Sequence, residues 1–156
     1  MLTNAMGFNL PLKFDEFVCQ ELMITLDQAQ DFIHEYRRFI VLQALANTRL
    51  YPSESVEKVW LIHMAHTKNY VEFCKAIGNR VFYHMPYTGD STGEEDQANY
   101  SMTLAFYSDI FLIEPPSMAW PPAQIRFQVS NFQYAFVNLI RISGLFSRMQ
   151  RGDMVF

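Results

Sequence analysis

Apolar residues recur along this chain at helical rather than strand spacing, and breakers cut the pattern into about five helical segments. Phe14, Phe17, Val18 and Leu22 mark the first. Thr25 opens the second: its hydroxyl can accept from the amide three residues on, and Gln28 stands where a reciprocal cap wants Glu or Gln. Phe32, Ile33, Tyr36, Phe39, Ile40, Leu42 and Leu45 carry that helix to about Asn47, where NTRLYP ends it. Beyond Pro52, Ser53 or Ser55 caps a third helix that runs through Trp60 to about Ile77 and stops at Gly78. A fourth starts near Asn99 in NYSMTLAFYSDIFL.

GNRVFYHMPYTGDSTGEEDQ predicts a long connection between the third and fourth helices, extended at 81–83, with an acidic Gly/Ser-rich second half. EPPSMAWPPAQ holds four prolines within eight positions, which excludes helix and predicts an extended strap anchored by Trp120. Ser130 and Gln133 repeat the capping pattern, and Phe132, Phe136, Leu139, Ile140 and Phe146 make an amphipathic last helix over about 130–149. The expected fold class is all-α or nearly so: a single compact domain over 1–156 of about five helices, with a long acidic loop and a Pro-rich strap.

Composition sharpens this picture. The two cysteines, Cys19 and Cys74, lie in apolar-periodic segments without paired spacing, which argues against a disulfide framework and for a reducing compartment. No apolar run approaches the length of a membrane span or a signal peptide, so an intracellular and cytoplasmic protein is expected, with an organelle not excluded. The net charge of −4 and the acids of GDSTGEED count against nucleic acid as partner. Half the chain is hydrophobic, with 14 Phe, 8 Tyr and 9 Met, a load that points either to an aromatic core or to exposed aromatic and Met side chains at a protein interface.

The candidate chemistry gathers at WLIHMAHTKNY and the FYHMP behind it. On one continuous helix, Val56, Trp60, His63, Thr67, Tyr70 and Cys74 share a stripe, whereas Lys58, Ala65, Lys68, Asn69 and Glu72 fall opposite. His63 and His66, one turn apart, could share a zinc or iron ion, with His84 returning from the loop as third ligand. No carboxylate has ligand-like spacing to this pair, and a buried His bonded to a carbonyl or a Tyr hydroxyl needs no metal. The favoured reading is a structural network of Trp60, His63, Tyr70, His84 and Trp120. Cys74, near a helix C-terminus, reads as an inert thiol, and Glu35 beside Arg37 and Arg38 as a surface ion-pair cluster.

EYRRFIVLQAL, YPSESVEKVWLIHMAHTKNYVEFCKAIGNRVFYHMPY and YSMTLAFYSDIFLIEPPSMAWPP together resemble the glycine-rich domain-containing-protein-like family over about residues 30–122. The resemblance places Pro52, Ser53, Val56, Trp60, His63, Thr67, Tyr70, Cys74, Gly78, His84 and Pro86 at motif positions. Thr103, Leu104, Tyr107, Phe111, Pro115, Pro116, Trp120 and Pro121 continue the series. The sequence departs from that pattern at Glu57 (Asp), Leu61 (the first His of Trp-His-x-His), His66 (Asp) and Leu112 (Gly). Leu61 then puts an apolar side chain on an outward face, as a surface recruited to a partner would.

These features favour a non-enzymatic interaction or scaffold subunit within a larger assembly of other protein subunits, with no cofactor and no catalytic residues assigned. Leu61, Trp120, Phe132, Phe136 and Phe146 are its candidate partner-binding residues. The last helix, with Arg141, Arg148 and Arg151, offers a weaker route to peripheral membrane contact. The alternative is a metal-binding domain or metal-dependent enzyme using His63, His66 and His84 with zinc or iron.

Overall fold

A computed structural model describes residues 1–84 and 93–127. Among the described residues the chain is helical with no strand, as the periodicity predicts: α1 (Leu2–Gly7), α2 (Phe14–Leu22), α3 (Leu26–Leu45), α4 (Glu54–Ala65), α5 (Thr67–Gly78) and α6 (Gly93–Phe111). Contacts divide the chain into two compact units, Met1–Ala123 and Gln124–Phe156, where length alone predicts one. The second unit is described only at 124–127, which are helical; the amphipathic helix over 130–149, with Phe132, Phe136 and Phe146, lies outside the described residues.

The fold of the first unit is organised by α3, which packs against α1, α2, α4, α5 and α6. Its start follows from its first residues. Thr25 Oγ1 accepts from the Gln28 amide while the Gln28 side chain accepts from the Thr25 amide, a reciprocal cap of about 1 kcal/mol. Phe39, Ile40 and Leu42 are fully buried, each stabilising the fold by roughly 1.5–3 kcal/mol relative to exposure.

The third predicted helix is two. His66 leaves helical geometry at φ −88°, ψ 57°, closing α4 and opening α5. The His66 amide bonds three residues back to the His63 carbonyl, and the Thr67 hydroxyl donates to the Met64 carbonyl at 3.3 Å beside the break. The break resets the helical phase. Trp60, His63, Tyr70 and Cys74 remain inward, but Thr67 is exposed and Asn69 turns toward His63. Gly78 is the last residue of α5, and Asn79 supplies the left-handed cap at φ 51°. A Cβ on Gly78 would stand 3.3 Å from the Phe82 ring and 3.4 Å from the Ala44 Cβ, a tight fit that a larger residue would meet only by displacing the Phe82 ring.

α6 begins at Gly93, six residues before the expected Asn99. The acids of GEED form its first turn, where the positive end of the helix dipole favours them. Residues 81–84 are irregular, not strand. Past α6, Leu112 adopts φ 56° with 86% of its surface exposed. That is the left-handed conformation which glycine takes without steric penalty. Residues 112–122 are free of helix, as their prolines dictate, and turn at 117–119 through bonds from the Ala119 and Trp120 amides to the Pro116 carbonyl. No helix among the described residues is long and apolar enough to cross a membrane.

Candidate functional site

Two polar centres are buried in the first unit, rising from adjacent residues of α3. The first surrounds His63, which is fully buried on α4. Its Nδ1 lies 2.7 Å from the Tyr36 hydroxyl and its Nε2 lies 2.8 Å from Asn69 Oδ1. Asn69 Nδ2 donates to the Asn9 carbonyl at 3.1 Å, which fixes the amide so that Oδ1 faces the imidazole as acceptor. His63 Nε2 must then carry the proton, leaving Nδ1 to accept from Tyr36. The result is a one-way chain from Tyr36 through His63 and Asn69 to a backbone carbonyl. It joins α3, α4, α5 and the α1–α2 connection.

Burial pushes the His63 pKa down to about 4, with the Asn69 bond opposing and the charges of His66 and Arg37 adding to the depression. The ring is neutral. Burial likewise raises the Tyr36 hydroxyl well above the ordinary phenol range. Aromatic edges enclose the imidazole: Phe14 at 5.4 Å, Tyr70 at 5.4 Å and Phe73 at 5.2 Å between ring centres.

A second one-way chain lies beside it. Trp60 Nε1 donates to the Tyr70 hydroxyl at 2.8 Å, and that hydroxyl donates to the Phe82 carbonyl. This pins the segment after α5 onto α4, where His84 Nε2 meets Glu57 Oε1 at 2.6 Å and the His84 ring stands edge-on to Trp60. Burial raises the Cys74 thiol away from the reactive thiolate, in agreement with an inert residue.

The other centre is Glu35, which is buried rather than at the surface as its charged neighbours suggested. Its Oε1 accepts from Arg38 at 2.9 Å, and its Oε2 accepts from the Tyr107 hydroxyl at 2.8 Å and Trp120 Nε1 at 2.9 Å. Three donors from α3, α6 and the strap therefore converge on one carboxylate. Arg38 also donates to the Tyr107 hydroxyl at 2.6 Å and lies over the Tyr107 and Phe111 rings. Burial, then the Glu35 carboxylate, holds the Tyr107 hydroxyl well above the usual phenol range. Ser55 Oγ and the Tyr100 hydroxyl donate to the Ala119 and Pro121 carbonyls, fixing the strap on either side of Trp120.

The expected residues thus separate. Trp60, His63, Tyr70 and His84 are brought together as a network, whereas Trp120 belongs to the Glu35 centre. Trp120 is only 2% exposed, which removes it from the partner-binding set. His63, His66 and His84 do not converge as metal ligands: both nitrogens of His63 are engaged, His84 pairs with Glu57, and His66 packs edge-on to Phe14 and Phe17. No group of three His, Cys, Asp or Glu side chains among the described residues could hold a metal ion.

Sequence reasoning missed the roles of four residues: it took Glu35 for a surface ion pair, Tyr36 for an apolar-stripe residue, Asn69 for an outward-facing one and Tyr107 for a motif position only. A signal existed for Glu35, because it falls with Phe32, Phe39 and Leu42 at i, i+3, i+7 and i+10 on the apolar stripe of α3. The fold and these centres define a helical domain closed internally by polar chains. No protein-family model, curated protein or solved structure matches the chain.

Proposed function

We propose that the chain is a non-enzymatic protein-interaction or scaffold module that docks on another subunit through the outward face of α6 and the residues just after it. One observation carries this reading: α6 keeps exposed apolar residues on the flank of its buried stripe. Tyr100, Thr103 and Tyr107 make its buried stripe. Met102, Phe106 and Ile110 recur at i, i+4 and i+8 on another, with Met102 54% and Ile110 39% exposed. At 3.6 residues per turn this row lies about a quarter turn from the buried stripe, which widens the apolar face of α6 past what its own unit covers. Leu112, Ile113 and Met118 extend the apolar surface into the strap.

The two polar centres support the same reading from the other direction. A catalytic acid, base or nucleophile needs an open approach and a free valence, and here the His63 nitrogens and the Glu35 oxygens are spent on internal partners. Leu61, 44% exposed on α4, offers a second, smaller apolar contact.

Light scattering on the size-exclusion-purified full chain tests the proposal. Without its natural partner the chain should self-associate as concentration rises, and Met102→Glu with Ile110→Glu should return it to monomer with an unchanged melting temperature. Leu61→Glu should weaken association to a lesser degree while leaving the fold intact. A chain that stays monomeric at all concentrations and binds no apolar dye contradicts the reading.

A further inference from the structure

Opposite its buried stripe, α6 carries an exposed seam. Ala98, Met102, Ala105 and Asp109 are all exposed and fall at i, i+4, i+7 and i+11, the alternation of fours and threes by which one helix packs along another. The two alanines let a neighbouring helix approach closely. Phe106 and Ile110 border the seam on the side that turns toward the buried stripe.

The charge of this region is one-sided. Residues 93–122 hold five of the chain's 16 acidic residues, Glu94, Glu95, Asp96, Asp109 and Glu114, and none of its 12 Lys and Arg residues. The first three sit in the opening turn, where the helix dipole favours them. The last two have no such reason. Asp109 stands exposed in the closing turn, which holds no basic residue, and Glu114 is exposed just beyond it, so both add to the negative end of the dipole. Among the described residues neither makes an ion pair. The Arg38 guanidinium, over the Tyr107 and Phe111 rings, is held by Glu35 on the buried side of α6.

These observations choose the occupant. A wholly apolar helix laid on the seam would strip water from Asp109 without answering its charge. The α6 of a second copy fares no better, because in either direction it brings carboxylates and no cation. Resting on the α6 docking reading above, we infer that the partner segment is a basic amphipathic helix of another protein. Its apolar stripe covers Met102, Phe106 and Ile110, and Lys or Arg side chains at one end meet Asp109 and Glu114. The seam is roughly 16 Å long, which an 18-residue helical peptide spans.

Three end-blocked peptides of that length are the probes: one with a Leu face and a Lys face, one with Glu in place of Lys, and one with Gln in place of Leu. Each is titrated into the 15N-labelled full chain at low salt. The Leu/Lys peptide should shift the amides of residues 98–114 to saturation, and the other two should each bind at least about tenfold more weakly. Added NaCl should weaken the Leu/Lys peptide yet strengthen self-association, because it screens an attraction in one case and a repulsion in the other. Asp109→Asn with Glu114→Gln should weaken the Leu/Lys peptide several-fold, at a melting temperature no lower than the parent's and with self-association retained. Equal affinity for the Leu/Glu peptide, or an unchanged affinity in that double variant, overturns the basic partner and leaves the α6 docking reading standing. Equal affinity for the Gln/Lys peptide overturns the apolar contact. A chain that self-associates through Met102 and Ile110 but binds no peptide overturns the helix of another protein in favour of a second copy, and a chain that does neither overturns both readings.

Discussion

The His63 centre and the Glu35 centre spring from neighbouring positions of α3, Tyr36 and Glu35, yet they are wired in opposite senses. Around His63 each group donates to the next, and the chain ends on the Asn9 carbonyl without any formal charge. Around Glu35 three donors converge on one charged acceptor. A relay of neutral groups loses one bond at a time. A convergent centre fails together, because removing the acceptor strands an indole and a phenol at once and leaves the Arg38 guanidinium without its counter-charge. The relay therefore tunes local order, whereas the carboxylate ties α3, α6 and the strap into one structure.

The largest effect expected from breaking this comparison is at Glu35. Glu35→Ala should cost about 3–5 kcal/mol in urea unfolding, as loss of one member of a buried charged set does. A loss below about 1 kcal/mol would place Glu35 at the surface.

Next comes pH. The His63 pKa falls from 6.5 to about 4 on folding, so between those values the unfolded chain binds the additional proton and stability declines as pH falls. The contribution is complete above about pH 6.5 and amounts to about 3 kcal/mol, lost progressively toward pH 4. Urea unfolding at pH 7 and pH 4.5, compared with His63→Gln, isolates it: the variant should lose most of that slope.

Tyr36→Phe removes the first donor of the relay and leaves Nδ1 unfilled, at about 1–2 kcal/mol by thermal unfolding. The smallest effect belongs to His84→Ala, on the partly exposed pair with Glu57, which should cost under about 1 kcal/mol in the same measurement.

Much of the fold is legible in the residues themselves. The Thr25–Gln28 cap, the Ser53 cap and the helix-free strap follow from local chemistry that tertiary packing does not override. The break at His66 does not, since no proline or glycine marks it; the Thr67 hydroxyl bond to the Met64 carbonyl beside it has no distinct sequence signature. Asn69 was therefore assigned to the wrong face, and with it the second partner of His63 was lost. The inward direction of His63 survived because it lies before the break. Glu35 was misread for a different reason: adjacent arginines suggest a solvated cluster, yet Arg38 folds over the Tyr107 and Phe111 rings while Arg37 reaches the α1 carbonyls. Only the helical register of Glu35 with Phe32 and Phe39 carries the opposite message.

The central claim, that the buried polar groups are closed on themselves rather than held open for chemistry, is tested most directly by the imidazole 15N spectrum of His63 as pH is lowered. The account predicts a neutral ring protonated at Nε2 that persists to about pH 4. A ring that titrates near its ordinary value of 6.5, or that carries its proton on Nδ1, would contradict it.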